Sequence, residues 1–545
     1  MKYSTLILGL LLISPLLIKA QGHQPVQVTI GNGVLEGTAE PDGIRSYKGI
    51  PFAAPPVGDL RWKEPQPVAN WTGVRKAGHF GNNGEQKQPF GDMGFRSAGM
   101  SEDCLYLNVW TPAKLAGEKL PVLVYFYGGG FIAGDGSEPR YDGEAMARKG
   151  IVTLTVNYRL GIFGFMAYPG LTAESAHHAS GNYGLLDQHA ALLWVQQNIT
   201  AFGGDPARVT IAGESAGSIS VNAQMASPLS KDLIAGAIGE SGAMINPTLA
   251  AVSLSEGEKN GLAFAASVHA ATLAELRAMP ASALLDASTK PGAFKTAATV
   301  DGYFLPQSPV AIFAAGGQAH VPLLAGWNSA EVPYQFLMHA DALTPESFTT
   351  RLKADYGDQA STVLKLYPAS DQDEVLKSAT QLASDRFIVY STWKWLQQQV
   401  KTGAKPVYQY IFSKSRPPVT PKFATMTPGL AGGMNKAALS ADIAAKTTAP
   451  LSQGAPHAFE IEYAMGNLAT NHVYAWTAED YRISGQMLQY FANFVKTADP
   501  NGPGLPHWPA LTDDAPVFME IGVTTGQQPV ITTARYQFLD KVYMK

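Results

Sequence analysis

The chain has 545 residues, of which 40 are basic and 44 are acidic, so its formal charge at neutral pH is −4. The charges are spread along the chain without a block of one sign, which argues against a nucleic-acid partner because such binding needs a basic patch. The length would permit two or three domains, but domains built on one large α/β sheet also reach this size.

Residues 1–20 have the pattern of a secretory signal peptide: a lysine near the start, an apolar run over 6–18 and a small residue, Ala20, at the end. The run is short for a membrane span, so cleavage near Ala20 is expected, with an uncleaved anchor as the alternative. No other stretch is long and apolar enough to cross a bilayer. Since Cys104 is the one cysteine, no internal disulfide can form, and we expect a secreted or periplasmic bacterial protein that depends on its core.

The first elements predicted after the leader are strands. Residues 26–30 and 34–37 alternate β-branched side chains around an Asn-Gly pair, which predicts an edge hairpin. Residues 101–110 alternate polar and apolar side chains and predict another strand. The apolar run 120–126 predicts a buried strand, and a glycine-rich loop follows it.

This loop, Gly128-Gly129-Gly130, lies between Tyr127 and Phe131. Consecutive glycines after a central strand allow backbone N–H groups to approach a reacting carbonyl without interference from side chains. The pattern is typical of the oxyanion loop of esterases. A glycine-rich turn without a catalytic role is the alternative.

Residues 207–218 carry the strongest functional pattern. The β-branched run 209–211 leads into the sequence GESAG, with Ser215 at its centre, and helix formers follow. A strand, a sharp turn and a helix in this order expose the serine hydroxyl at the sheet edge, beside the positive end of the helix. A second candidate, Ser241, also follows an apolar run, but Ala243 stands where the second flanking glycine is needed.

The elements before this turn complete a parallel unit. Residues 151–158 predict a buried strand, and residues 184–199 predict a helix with one apolar face. Strand, helix, strand, turn and helix form the right-handed unit of an α/β sheet. Ser215 is therefore expected at the carboxyl end of a central strand, where such sheets place their sites.

Together these motifs resemble the type-B carboxylesterase family, which includes cholinesterases and bacterial carboxylesterases. The matching segments cover most of the chain after the leader and read YKGIPFAAPPVGDLRW, SEDCLYLNVW, VYFYGGGF, VNYRLGIFGF, GNYGLLDQHAALLWVQQNITAFGGDPARVTIAGESAGS and GAPHAFEIEYAMGNL. The resemblance implies one α/β-hydrolase domain over 21–545. Its large central β-sheet would be mixed, mostly parallel and flanked by helices, with an N-terminal edge hairpin and inserted lid or gorge segments.

The resemblance also implies particular contacts. Two buried ion pairs of the family would here join Arg61 to Glu102 and Arg159 to Asp187. In the family, the serine equivalent to Ser241 lies close to the catalytic residues.

The acid and the base of a serine hydrolase must come later in the chain, because in this fold the order is serine, acid, histidine. Glu331 follows a buried strand predicted over 321–325 and resembles the family's catalytic glutamate. Asp301, on a turn without such a strand, is the rival. His457 lies in a loop just before a helix-like run and resembles the catalytic base.

Two further features have other expected roles. The adjacent His177 and His178 lack an acidic or thiol cluster with ligand spacing, so a solvated loop is favoured over a metal site. The resemblance implies that Ser241 forms a supporting hydrogen bond to Glu331 or His457.

These residues predict a serine carboxylic-ester hydrolase that acts on a small-molecule ester and needs no cofactor or metal. His457 would take the proton from Ser215 as its oxygen attacks the ester carbonyl. The N–H groups of Gly129, Gly130 and Ala216 would hold the oxyanion. An acyl-enzyme would form, and water would then release the acid.

Tyr127, Phe131 and Trp327 are expected to wall the substrate pocket, which would suit small to bulky substrates, including aromatic or multi-ester ones. Residues 413–453 are rich in Pro, Gly, Ala and Thr and contain a helix-like piece at 436–446. They are longer than the loop that relatives have here, so we interpret them as an insertion that forms a lid or wall of the gorge, with disorder as the alternative.

Two other functions stay open at this stage. An amidase or thioesterase could use the same triad, and a non-catalytic adhesion module could share the fold. The intact Ser215, Glu331 and His457 argue against the adhesion module. The sequence is compatible with a monomer and with a dimer.

Overall fold

The computed structural model describes residues 24–40, 42–87, 90, 92–429, 433–435, 454–513 and 516–544. The predicted signal peptide and the helix-like piece 436–446 lie outside the described residues, so both stay predictions.

The strands of the described chain have the following bounds: β1 (Gln24–Ile30), β2 (Gly33–Ala39), β3 (Arg45–Pro51), β4 (Val74–Lys76), β5 (Tyr106–Thr111), β6 (Leu120–Phe126), β7 (Val152–Val156), β8 (Gly204–Glu214), β9 (Gly236–Glu240), β10 (Val252–Ser253), β11 (Thr299–Val300), β12 (Leu323–Asn328), β13 (Val407–Phe412), β14 (Thr427–Pro428), β15 (Met434–Asn435), β16 (Val517–Ile521) and β17 (Gly526–Pro529).

Thirteen of these strands form one mixed sheet in the order β1-β2-β3-β5-β7-β6-β8-β9-β12-β13-β16-β17, with β4 beside β2. From β7 to β16 all neighbours are parallel. The β1–β2 hairpin lies at one edge and is antiparallel, as predicted. The central strands β7 and β9 are buried along their whole length, because helices cover both faces of a parallel sheet. This is the predicted α/β-hydrolase architecture.

The α-helices of the described chain are Glu144–Arg148, Gly161–Phe165, Pro169–Glu174, Tyr183–Asn198, Ala216–Ala226, Leu254–Ser267, Leu273–Ala278, Ala281–Ser288, Pro309–Ala314, Gln335–Met338, Pro345–Tyr356, Ala360–Leu366, Gln372–Ser384, Tyr390–Thr402, Ile461–Met465, Ala478–Thr497 and Thr533–Tyr543. A π-helix, Asp385–Val389, joins two of them. Within these ranges, none of the helices combines the length and apolar character that a bilayer crossing requires.

The strand that leads to Glu331 is shifted from its predicted position. It was predicted over 321–325, but β12 runs Leu323–Asn328. Its last residues continue in parallel register with β13, from Gly326 opposite Tyr410 to Asn328 opposite Phe412. The strand extends because a neighbouring strand is available, and that partner is not visible in the local sequence.

The two ion pairs implied by the family resemblance are confirmed. Arg61 binds Glu102 through two hydrogen bonds of 2.6 Å, and Arg159 binds Asp187 through two of 2.8 Å. The second pair is completely enclosed, with side-chain exposures of 3% and 0%. Forked pairing of this kind satisfies charges that would otherwise be costly to bury.

The described part of the predicted insertion, residues 413–429 and 433–435, packs against the loop before β5. β14 and β15 form a short antiparallel pair. Between them, the Gly433 N–H donates to a carboxylate oxygen of Asp92 at 3.0 Å. Arg416 donates to the Gly429 carbonyl at 3.3 Å. The bond from Gly433 to Asp92 joins the insertion to the segment that contains Met93, whereas the bond from Arg416 to Gly429 lies within the insertion.

Candidate active site

The turn between β8 and the helix Ala216–Ala226 holds Ser215. Its backbone has φ 55° and ψ −121°, a conformation that residues with side chains rarely adopt. The flanking glycines permit the turn, since a Cβ on Gly217 would lie 2.0 Å from the Phe126 carbonyl oxygen. The Ser215 hydroxyl therefore stands at the carboxyl end of a central strand, on a strained strand-to-helix turn.

The three residues predicted as nucleophile, base and acid lie in one hydrogen-bonded chain. His457 Nε2 is 2.9 Å from Ser215 Oγ, and His457 Nδ1 is 2.6 Å from Glu331 Oε2. Glu331 is fully buried and His457 is 4% exposed. A histidine that donates Nδ1–H to a carboxylate presents an unprotonated Nε2 to the serine, which is the tautomer that a general base needs.

The carboxylate of Glu331 is held by two further donors on its other oxygen. The Asn328 N–H donates to Oε1 at 2.7 Å, and the Ser241 hydroxyl donates to the same oxygen at 2.6 Å. Ser241 is itself fixed by its N–H, which donates to the Gly326 carbonyl at 2.9 Å. Ser241, the second serine candidate, is thus buried and holds the carboxylate of Glu331, and it does not line the pocket.

Replacing Ser241 with alanine is expected to lower kcat about 10-fold with little change in KM. The change removes one of two donors to Glu331 Oε1, so the carboxylate orients the imidazole less well, while the pocket surface is unaltered. Steady-state kinetics on a chromogenic ester measure both constants. A raised KM with unchanged kcat would show instead that Ser241 acts on substrate binding.

The glycine loop lies directly against the serine turn. A Cβ on Gly128 would lie 2.7 Å from the Glu214 carbonyl oxygen, and a Cβ on Gly129 would lie 2.2 Å from the Ala133 carbonyl oxygen. Gly129 has φ +118° and Gly130 has φ +64°, and both line the pocket that contains Ser215. Among the described residues, the N–H groups of these two glycines have no backbone acceptor. They are available as donors to a ligand.

Buried carboxyl groups surround the histidine, and sequence reasoning gave them no role. Glu214 Oε1 is 3.2 Å from His457 Nε2. Burial raises the pKa of Glu214 well above its usual range, against the opposing effect of Arg140. Burial also raises the pKa of Glu240 to about 8, although the Tyr125 hydroxyl donates to it. Both shifts favour the protonated carboxyl, so they oppose a second full negative charge beside Glu331.

The pocket above Ser215 has an empty volume of about 840 Å³, including the part open to solvent. Its apolar wall consists of Phe90, Met93, Ile219, Pro247, Leu249, Phe387, Ile388 and Ala458. A concave, mostly apolar lining of this kind is typical of sites for small organic molecules.

The expectation that Tyr127, Phe131 and Trp327 wall the pocket is wrong for its described part. All three are buried and point into the core: Tyr127 stacks on Tyr158 with ring centroids 4.4 Å apart, and Trp327 meets Tyr536 edge-on at 6.0 Å. Residues beside a catalytic strand alternate between its two faces and do not all reach the ligand.

Phe387 is the aromatic residue that contacts the candidate base. Its ring meets the imidazole of His457 edge-on, with centroids 5.1 Å apart. It lies in the π-helix Asp385–Val389, and the Thr248 hydroxyl donates to its carbonyl at 2.8 Å. A π-turn inside a helical segment often occurs at a functional site. One added residue rotates the later apolar positions by about 100°, but a phase change at a single point in a short helical run is hard to recognise in sequence.

The remaining candidates lie away from this chain of contacts. Asp301 accepts a hydrogen bond from the Asn182 side chain at 2.8 Å and serves a turn. The His177 ring stacks on Tyr303 with centroids 3.7 Å apart. Within the described ranges, no three histidine, cysteine or acidic side chains are arranged to hold a metal ion.

Comparison with known proteins assigns a family to this geometry. Residues 24–539 match the carboxylesterase family. A fumonisin B1 esterase from Sphingopyxis macrogoltabida is 36% identical over 490 residues, which cover 88% of this chain and 83% of the relative. A human cocaine esterase is 32% identical over an alignment of 586 positions, gaps included, which covers 99% of this chain and 95% of the relative.

Solved structures agree with this assignment. The carboxylesterase EST55 of Geobacillus stearothermophilus superposes with a TM-score of 0.76 at 28% identity, and the match covers 94% of this chain and 99% of that one. A PNB esterase superposes with a TM-score of 0.73 at 29% identity over the same shares of the two chains.

Proposed function

Because the chain belongs to the carboxylesterase family and is a carboxylic-ester hydrolase, we propose that it works through a triad of Ser215, His457 and Glu331 and through an acyl-enzyme. One observation carries the proposal. The imidazole of His457 lies within hydrogen-bond distance of both other side chains, at 2.9 and 2.6 Å, at the base of an apolar pocket.

In the proposed acylation step, His457 Nε2 takes the proton of the Ser215 hydroxyl as the serine oxygen attacks the ester carbonyl. Glu331 stabilises the imidazolium that forms. The developing oxyanion accepts hydrogen bonds from the N–H groups of Gly129, Gly130 and Ala216, with the N-terminal end of the helix after the serine behind them. The imidazolium then protonates the leaving alcohol.

Deacylation uses the same groups in the same roles. Water takes the place of the alcohol, His457 removes its proton, and the hydroxide attacks the acyl carbon. Collapse of the second tetrahedral intermediate releases the carboxylic acid and returns the proton to Ser215. Apart from the ester and the water, each step uses only side chains and backbone groups of this chain.

The pocket supports esters with a bulky apolar part. The relatives named above are a fumonisin B1 esterase and a cocaine esterase, and their names support the same substrate range. We therefore propose bulky esters as substrates, with simple aryl esters as convenient probes.

The test is covalent capture of the nucleophile. A fluorophosphonate is expected to label the protein once, on the peptide that contains Ser215, and to abolish hydrolysis of para-nitrophenyl butyrate in proportion to labelling. The butyrate should be cleaved far faster than the matched anilide. Labelling at another residue, or faster cleavage of the anilide, would contradict the proposal.

We further propose export to the periplasm or the medium, with removal of residues 1–20. The apolar run near the start of the sequence supports it. N-terminal sequencing of the protein recovered from the producing cells tests this, and a mature protein that retains Met1 would contradict it.

A further inference from the structure

Two residues of the apolar pocket wall, Phe90 and Met93, belong to the long loop before β5. Both line the cavity that contains Ser215 and His457. No disulfide can hold this loop, because Cys104 is the one cysteine of the chain. Its position, and with it the shape of this side of the pocket, therefore depends on non-covalent contacts.

The loop is fixed on both sides of these two residues. Upstream, the Gln86 side chain exchanges two hydrogen bonds with the backbone of Gly134, at 2.9 and 2.8 Å. Downstream, the N–H groups of Arg96 and Ser97 donate to the Ser137 hydroxyl at 2.9 and 3.0 Å. The stretch between these anchors carries the pocket wall.

Within that stretch, Asp92 is held by β14 and β15. We call residues 427–429 and 433–435 the clasp. The Gly433 N–H donates to the Asp92 carboxylate at 3.0 Å, and the Gly429 N–H donates to the Gly433 carbonyl at 2.9 Å. A Cβ on Gly429 would lie 2.2 Å from the Asp92 carboxyl carbon, and one on Gly433 would lie 2.1 Å from the Asp92 carbonyl oxygen. The two glycines thus permit a contact that side chains would prevent.

The clasp rests on buried aromatic residues close to the candidate base. The Arg416 side chain donates to the Gly429 carbonyl at 3.3 Å. Its guanidinium lies over the rings of Phe459 and Tyr474, 5.0 and 5.5 Å from their centroids. Phe459 is fully buried and lies two residues after His457. The clasp therefore connects a packed part of the site to the loop that carries the pocket wall.

We propose that Asp92 is a positioning residue that makes the enzyme select bulky esters. Its bond to Gly433 keeps Phe90 and Met93 at the pocket, where they contact the apolar part of a bulky substrate. A small ester reacts at the nucleophile without these contacts. The inference rests on the proposed esterase function and adds what selects its substrates.

The test compares kcat/KM for bulky and small esters with the full-length enzyme. The acyl-side pair is para-nitrophenyl 4-phenylbutyrate and para-nitrophenyl acetate, and the alcohol-side pair is 1-naphthyl acetate and phenyl acetate. Asp92→Ala is expected to lower the bulky-to-small ratio roughly 10-fold for at least one pair, through a raised KM of the bulky ester with kcat unchanged. Asp92→Asn should keep a ratio near that of the wild type, because its amide oxygen still accepts the Gly433 N–H.

Gly433→Ala tests the same contact without a change of charge. Its methyl group meets the Asp92 carbonyl, so the loop must shift, and the ratio should fall as it does in Asp92→Ala. Gly485→Ala is the matched control. Gly485 lies in the helix Ala478–Thr497, and a Cβ there meets no atom within 4 Å, so the ratio should stay at the wild-type level.

Thermal unfolding verifies that each variant is folded, and if one of the two disruptive variants does not fold, the other decides. An unchanged ratio in the folded variants would overturn the inference while the esterase function stands. An equal loss for small and bulky esters, or loss of folding in both Asp92→Ala and Gly433→Ala, would also overturn it, because Asp92 would then support the fold and not the selection of substrates. Failure of the wild type to cleave any of the four esters would contradict the proposed function instead.

Discussion

The Ser215→Ala variant is expected to lose ester hydrolysis by roughly 10⁶-fold in kcat. In the proposed mechanism, the hydroxyl of Ser215 forms the acyl bond, and alanine offers nothing in its place. The residual activity should exceed the rate in water, because the glycine loop still binds a developing oxyanion. Steady-state kinetics on para-nitrophenyl butyrate, with exhaustive controls for contaminating esterase, measure the loss.

The same reasoning predicts a non-additive effect. His457→Ala should cost nearly as much as Ser215→Ala, and the double variant should be no worse than either, because both residues act in one step. Ser220→Ala is the matched control on the same helix. Its hydroxyl donates to the Ala216 carbonyl at 2.8 Å, away from the pocket, and its activity should stay close to that of wild type. Activity of Ser215→Ala near the wild-type level would contradict the assignment of the nucleophile.

Much of the site could be predicted from sequence because its parts are encoded locally. The Ser215 turn needs a β-branched strand, small residues at two fixed positions and a helix, and these all lie within residues 207–218. The glycine loop likewise follows its strand without a gap. The sheet around them was predictable for the same reason: its central strands are short apolar runs bounded by turns, as β6 shows, since its bounds Leu120–Phe126 are the predicted ones.

The pocket wall could not be predicted in this way. Phe90, Leu249 and Phe387 come from three distant segments, and their meeting above Ser215 depends on how loops cross the sheet edge. The rings that stand next to the catalytic motifs, such as Tyr127, instead fill the core. Proximity along the chain therefore predicted the positions of Ser215 and the glycine loop well and the pocket wall poorly.

The buried carboxyl groups show a second limit. Glu214 is adjacent to Ser215 in sequence, but its closeness to His457 and its burial appear only in three dimensions. Burial decides whether such a group is a charge or a neutral hydrogen-bonding side chain. A sequence shows the carboxyl group and not its protonation state.

The Glu331→Gln variant is expected to lower kcat about 10⁴-fold while leaving the shape of the site intact. An amide at this position can present its NH₂ group to His457 Nδ1, which then accepts, and Nε2 carries the proton. The imidazole can no longer accept the proton of Ser215. Covalent labelling by a fluorophosphonate should slow by a similar factor, because it needs the same proton transfer.

The control for this prediction is the rival acid. Asp301→Asn changes a buried carboxyl group in the same way, but Asp301 accepts hydrogen bonds from Asn182 and from backbone N–H groups of its own turn. Asp301→Asn should therefore lower the thermal unfolding temperature and leave kcat close to that of the wild type. The reverse outcome, with kcat lost in Asp301→Asn and kept in Glu331→Gln, would mean that the imidazole of His457 is oriented by a different carboxylate in the working enzyme.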